Sequence, residues 1–156
     1  MLSITIHYAE HLTKNDELEE LSSKVSKQLV KQLKDQGQLL VAAETTLLIT
    51  DNKAIQELNA KFRKKAQATN ILSFPSGEPY IAGQNYYLGD LVISLEYIIK
   101  EAEQQDKSLA AHFAHLLIHG ILHLFDFTHD EAEHAAEMES LEIAILKELS
   151  IKNPYQ

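Results

Sequence analysis

The segment from Leu109 to Phe125, LAAHFAHLLIHGILHLF, is apolar or small at nearly every position except His112, His115, His119 and His123. A helix of that composition has to be buried on most of its sides, so the rest of the chain is expected to pack around it. The histidines step by three, four and four residues, which lines them roughly along one stripe of the helix. Residues four apart on a helix carry Cβ atoms about 5–6 Å apart, so His119 and His123 can grip one ion from a rigid platform. His129 lies beyond the helix end, and a turn through Phe125 to Thr128 can fold its imidazole back toward the other two. Three imidazoles on a tetrahedral Zn²⁺ leave one position open for water, as catalytic zinc requires. Such an ion takes the pKa of its water from about 15.7 toward about 7. His112 and His115 stay open between this stripe and the ordinary role of a hydrogen-bonded core histidine. Gly120 costs about 1 kcal/mol against Ala inside a helix, and is expected to admit a close backbone or a substrate.

Around that helix the pattern predicts an α+β fold, with a small mixed sheet of about four strands packed with about five helices in a single domain over residues 1–156. Leu2 to Tyr8 alternates as a strand. Asp16 with Glu19 offers a capping box for a helix carrying Leu18, Leu21, Val25, Leu29 and Leu33 at helical spacing, which Gly37 can end. Thr45–Thr50 reads as a strand, Asp51 can cap a helix running to about Phe62, and Asn70–Phe74 reads as a short strand stopped by Pro75. The glycine-bearing stretch from Ser76 to Gly89 reads as the long loop of the chain. Leu88–Ser94 then reads as a strand and Leu95–Gln104 as a helix. Ser108 can cap the histidine helix, and Asp130 with Glu133 a last helix carrying Met138, Leu141, Ile145 and Leu149.

Composition excludes several chemistries. With no cysteine in the chain, disulfides, thiolate zinc sites and cysteine nucleophiles are out, and a transition-metal site must use imidazole with carboxylate or water. No stretch approaches the roughly 20 apolar residues that span a bilayer, and no basic-then-apolar leader opens the chain, so a soluble cytoplasmic protein with no membrane partner is expected. Fourteen Lys and Arg against 23 Asp and Glu give a formal net charge of −9, which argues against non-specific nucleic-acid binding. The distribution qualifies the sum. Lys61, Arg63, Lys64 and Lys65 form one dense basic cluster, able to meet phosphate or equally to serve as the solvated end of a helix.

The zinc-protease signature places a general-base Glu directly after its first histidine. Gly120 stands there instead, so the group that activates water for peptide hydrolysis is missing. The segment HGILHLFDFTH resembles the HGxLHLxGYDH motif of the YbeY family of bacterial metal-dependent endoribonucleases. NAKFRKKAQATNILSFP over residues 59–75 is similar to the family's N-x-x-[YF]-R and T-D-V-L-S-F-P run, and LGDLVIS, AHLLIHG and AEMESLE also fit, in order along most of the chain.

The resemblance implies an α+β fold with a metal cleft at one side of a mixed sheet. It implies metal binding by His119, His123 and His129, with one Zn²⁺ or another divalent transition metal per chain, and a catalytic role for Arg63. The implied function is a single-strand-specific, zinc-dependent endoribonuclease acting in ribosomal RNA processing, at the 3′ end of small-subunit RNA, and in ribosome quality control. The partners it implies are single-stranded ribosomal RNA and the small subunit or its assembly factors. Lys61, Lys64 and Lys65 would then attract the RNA backbone, and Tyr80, Tyr86 and Tyr87 would either stack bases or simply pack. Two rival functions remain, a hydrolase of peptides or small phosphoesters and an assembly factor with structural zinc. The chain departs from the family pattern at Asp126, Phe127 and Thr128, where Gly-Tyr-Asp is usual, and at Asn70, where Asp is usual. The first departure leaves Asp126 or Asp130 as the carboxylate expected to orient a histidine.

Overall fold

The computed structural model describes residues 1–36, 42–79, 81, 84–125 and 132–156. Among these, the chain forms strands β1 (Leu2–Tyr8), β2 (Ala43–Thr50), β3 (Ile71–Pro75) and β4 (Tyr86–Ser94). Its helices are α1 (Asp16–Asp35), α2 (Asn52–Arg63), α3 (Leu95–Gln104), α4 (Leu109–Leu124) and α5 (Ala132–Glu148). The sheet order is β1-β2-β4-β3, with β1, β2 and β4 parallel and β3 antiparallel on the edge against β4. This is the expected α+β class with a mixed sheet.

Local chemistry sets most of the boundaries. Asp51 accepts from the Ala54 amide at 2.9 Å and Ser108 from Ala111 at 3.1 Å, so α2 and α4 start where an N-cap side chain satisfies an otherwise orphan donor. For α1 the cap is Asn15, whose Oδ1 accepts from Leu18 at 3.0 Å, and not the Asp16–Glu19 box. The carboxylates of Asp16 and Glu19 instead lie in the first turn, where they complement the helix dipole. Gly37 and the Asp130 cap fall outside the described residues. Lys64 closes α2 in the left-handed conformation, φ 58°, its amide reaching back to Asn59 O.

β4 starts two residues earlier than expected, at Tyr86, so the adjacent tyrosines belong to the sheet and not to the loop. Gly89 is fixed by packing: at φ 137° a Cβ there would lie 2.2 Å from Phe74 O on β3, leaving glycine as the residue that fits.

One side of the sheet carries the main core, where α4 contributes Phe113, Leu117, Ile118 and Ile121, all fully buried against Leu47, Leu91 and Ile93 of the sheet and Val25 and Leu29 of α1. Each such side chain contributes about 1.5–3 kcal/mol on burial. The opposite side is covered in part, by Ile55 and Leu58 of α2 lying over Leu72 and Val92. Gly120 turns out to admit the sheet and not a backbone or ligand: a Cβ there would meet Ile71 Cδ1 at 2.7 Å and Leu91 Cδ2 at 3.0 Å. Its missing side chain lets α4 settle against β3 and β4, which brings the histidine stripe beside the edge strand. No helix among the described residues is long and apolar enough to cross a membrane.

Candidate active site

Where α4 meets β3 there is a cleft of about 580 Å³ lined by Arg63, Asn70, Ser73, His115, His119, His123 and Tyr155, among others. His119 and His123 lie one turn apart, and their Nε2 atoms approach to 3.0 Å. His129 lies outside the described residues, as do Asp126, Thr128 and Asp130.

Behind His119 lies Glu142 of α5, fully buried. Its Oε1 is 2.6 Å from His119 Nδ1, and the Tyr155 hydroxyl donates to Oε2. Burial alone would raise the Glu142 carboxyl, but the hydrogen bonds from His119 and Tyr155 outweigh it and hold the group below its ordinary value. An ionised carboxylate only accepts, so His119 carries its proton on Nδ1 and turns the lone pair of Nε2 toward His123. This pairing of histidine with an outer carboxylate is the one that fixes tautomer and ring orientation in metal sites.

Two alternative groupings are separated by distance. His115, His119 and Glu142 could in principle share an ion, since their ligand atoms lie close together. Ligands of one tetrahedral zinc at bond lengths of about 2.0–2.1 Å sit about 3.3 Å apart. The 2.6 Å between His119 Nδ1 and Glu142 Oε1 is too short for that and fits a charge-assisted hydrogen bond. The 3.0 Å between the two Nε2 atoms is close to a ligand pair, and a single proton bridging them occupies the place a cation can take. The donor set therefore suits a borderline metal ion through His119 and His123, with Glu142 orienting the ring from behind.

The other two histidines separate. His112 is buried and bonds Glu101 Oε1 at 2.6 Å, a structural role. His115 faces the cleft, 3.2 Å from the Tyr155 hydroxyl and 3.7 Å from Glu142. Burial pushes His115 down to about 4 despite the carboxylate's opposing pull, so it is neutral near pH 7. Tyr155 is pushed upward by burial and by Glu142, and keeps its proton.

Arg63 reaches the cleft from the end of α2. Its Nη2 donates to Ser73 O at 2.6 Å, on the outer edge of β3, and its guanidinium lies 5.0 Å from the Phe74 ring centre. Two carbonyls engage the fork, which leaves donors for an anion in the cleft. Lys61, Lys64 and Lys65 are exposed around it. Asn70, one of the departures, donates from Nδ2 to Glu101 Oε1 at 3.0 Å and accepts from the Ile71 amide at 2.6 Å. An aspartate would offer Glu101 a second negative charge in place of a donor. Tyr87 packs, its hydroxyl on Thr46 Oγ1 at 2.9 Å and on Asp90; Tyr86 is half-buried at the start of β4, and Tyr80 lies outside the described residues.

Glu142 and Tyr155 were not among the expected site residues. Glu142 had a usable signal: it lies four residues after Met138 and three before Ile145, on the apolar face of α5, where an unpaired carboxylate would be costly.

Fold and cleft together define an α+β protein with a histidine–carboxylate centre facing a guanidinium, an arrangement able to hold a metal against an anionic substrate. The family model described as endoribonuclease YbeY matches residues 5–150. A curated endoribonuclease YbeY of Bartonella bacilliformis is 44% identical over 117 residues, covering 74% of this chain and 73% of the relative. That of Colwellia psychrerythraea is 47% identical over 112 residues, 72% of each chain, and that of Magnetococcus marinus 41% over 128 residues, 76% of this chain and 87% of the relative. The solution structure of a Thermotoga maritima protein shares the fold, with a TM-score of 0.61 at 19% identity over 96% of this chain and 92% of that one. The chain belongs to the endoribonuclease YbeY family.

Proposed function

We propose that this protein is a zinc-dependent, single-strand-specific endoribonuclease of ribosomal RNA, active in the cytoplasm as a single domain over residues 1–156 and acting in small-subunit 3′-end maturation and ribosome quality control. Its partners on this reading are ribosomal RNA and the small subunit or its assembly factors. The observation that carries it is the pairing of His119 Nε2 with His123 Nε2 at 3.0 Å, with Glu142 locked behind His119, in the same cleft as Arg63. Family membership supports the RNA substrate.

On this reading His119, His123 and His129 would hold one Zn²⁺. When bound, zinc supplies a Lewis acid for the phosphodiester and a water acidified toward neutral pH. Glu142 keeps the His119 Nδ1 proton, and thus the Nε2 lone pair, in place throughout. Arg63 turns donors from its edge-strand perch onto the non-bridging oxygens, where the planar fork matches phosphate and opposes the charge that builds during displacement. Lys61, Lys64 and Lys65 contribute sequence-independent attraction to the backbone.

The test is cleavage of a defined single-stranded RNA with and without chelator, alongside elemental analysis. One equivalent of zinc and chelator-sensitive internal cuts are expected, with zinc reduced in His119→Ala, His123→Ala and His129→Ala. Full metal retention in all three variants would sink the ligand assignment.

A further inference from the structure

We propose that Phe62 is a stacking platform for an unpaired RNA base, so that a nucleotide near the scissile phosphate is held on the α2 side of the edge strand, next to Arg63. The proposal rests on the nuclease reading above and adds a residue to it. Ile55, Leu58 and Phe62 share the apolar face of α2; Ile55 is fully buried and Leu58 half-buried over the sheet, whereas Phe62, one turn on, is 51% exposed. About half of this ring stays open to solvent at the end of a face that is otherwise at least partly covered.

Its surroundings indicate what it meets. Phe62 stands edge-to-face with Phe74, ring centres 5.3 Å apart at 70°, so the ring is held in orientation. The Lys61 ammonium lies 5.2 Å from the Phe62 ring centre. The Arg63 guanidinium packs on Phe74 while its other side lines the cleft. An apolar groove thus runs from Phe62 and Phe74 across Leu48 and Val92 on the α2 side of the sheet, and Arg63, which follows Phe62 and packs on Phe74, lines the cleft on the other side of the edge strand. Lys61 and Arg63 meet its two rings, and Lys64 and Lys65 are exposed just after them in the chain, whereas the chain as a whole carries −9. A basic rim with an oriented aromatic floor is the combination that binds unpaired nucleotides, the cations taking phosphates and the ring a base of any identity. Asp90, directly across from Phe74 in the sheet, is engaged by the Tyr87 hydroxyl.

The experiment pairs Phe62→Ala and Phe62→Trp with single-stranded RNA substrates carrying one abasic nucleotide at successive positions around the cut. Oligonucleotide affinity is read by fluorescence anisotropy and cleavage by kcat/KM. Loss of one base stack typically costs about tenfold or more, so Phe62→Ala should lose about tenfold in affinity on intact RNA and Phe62→Trp should recover it. The abasic substitution at one position should weaken the wild type equally and Phe62→Ala no further. Intact affinity in Phe62→Ala, or an unaltered abasic response, overturns the platform. A change in sedimentation of Phe62→Ala with RNA binding unmoved overturns it too, in favour of contact between two copies of the chain. Wild-type RNA binding that depends on Phe62 without any cleavage would keep the platform and refute the nuclease reading alone.

Discussion

Replacing Glu142 by Gln removes a charge and little else, which makes it the sharpest probe of the metal centre. The amide oxygen can still accept the proton on His119 Nδ1, now 2.6 Å from the carboxylate, so the ring keeps its tautomer. The amide nitrogen takes the second oxygen's place, and the Tyr155 hydroxyl that donates there has to turn and accept. Carboxylates behind metal-bound histidines are worth about 10–100-fold in metal affinity. With orientation preserved, the loss expected for Glu142→Gln is about tenfold, or about 1.4 kcal/mol. Glu142→Ala loses both hydrogen bonds, leaves His119 Nδ1–H and Tyr155 without their acceptor in a buried site, and should approach a hundredfold. The assay is zinc titration against a competing chelator near neutral pH, with circular dichroism to establish that each variant is folded. Zinc affinity unchanged in both folded variants would refute the idea that Glu142 acts on a metal through His119.

Arg63→Ala should lower RNA cleavage by about 10²–10³-fold with zinc content unaltered, and Arg63→Lys should recover little, since it loses the fork; equal single-turnover rates would relegate Arg63 to binding. Asn70→Asp turns the donor 3.0 Å from Glu101 into a like charge, and should lower stability by about 1–3 kcal/mol. Glu101→Gln in the same chain should restore it, and a melting temperature insensitive to both changes would count against the pairing. The metal-free protein should lose stability as pH falls from 6.5 toward 4, because His115 takes up its proton near 6.5 when unfolded but only near 4 when folded. Glu142, depressed in the fold, extends the loss below its ordinary pKa. Urea midpoints measured across that range should flatten in His115→Gln, and an equal slope would place the titration elsewhere.

Elements that repeat within a few residues could be read from the chain. The apolar run of α4, the alternation of β1 and the caps at Asp51 and Ser108 are local signals, and the structure reproduces them. The site was legible only as far as it is local. His119 and His123 are one turn apart, but the carboxylate that orients His119 comes from 23 residues further on. The carboxylates nearest the histidines in the chain are Asp126 and Asp130, which local spacing favours instead. The same limit explains the tyrosines: glycines and Pro79 made residues 76–89 resemble a loop, whereas pairing of β4 with β2 and β3 draws Tyr86 and Tyr87 into the sheet. Asn15 displaced Asp16 as the cap because a one-residue shift costs no sequence pattern, both being good N-cap residues.

The hydrogen bond from Tyr155 to Glu142 also sets an order in time. During synthesis the sheet, Arg63 and both imidazoles emerge first. A nascent chain halted before residue 142 has two histidines without the carboxylate that chooses their tautomer, and one halted before residue 155 lacks the hydroxyl that holds that carboxylate. Metal loading would therefore be completed only once α5 and the segment through Tyr155 have emerged and packed behind His119. Zinc uptake by ribosome-stalled chains ending on either side of those two residues would show whether loading waits for them.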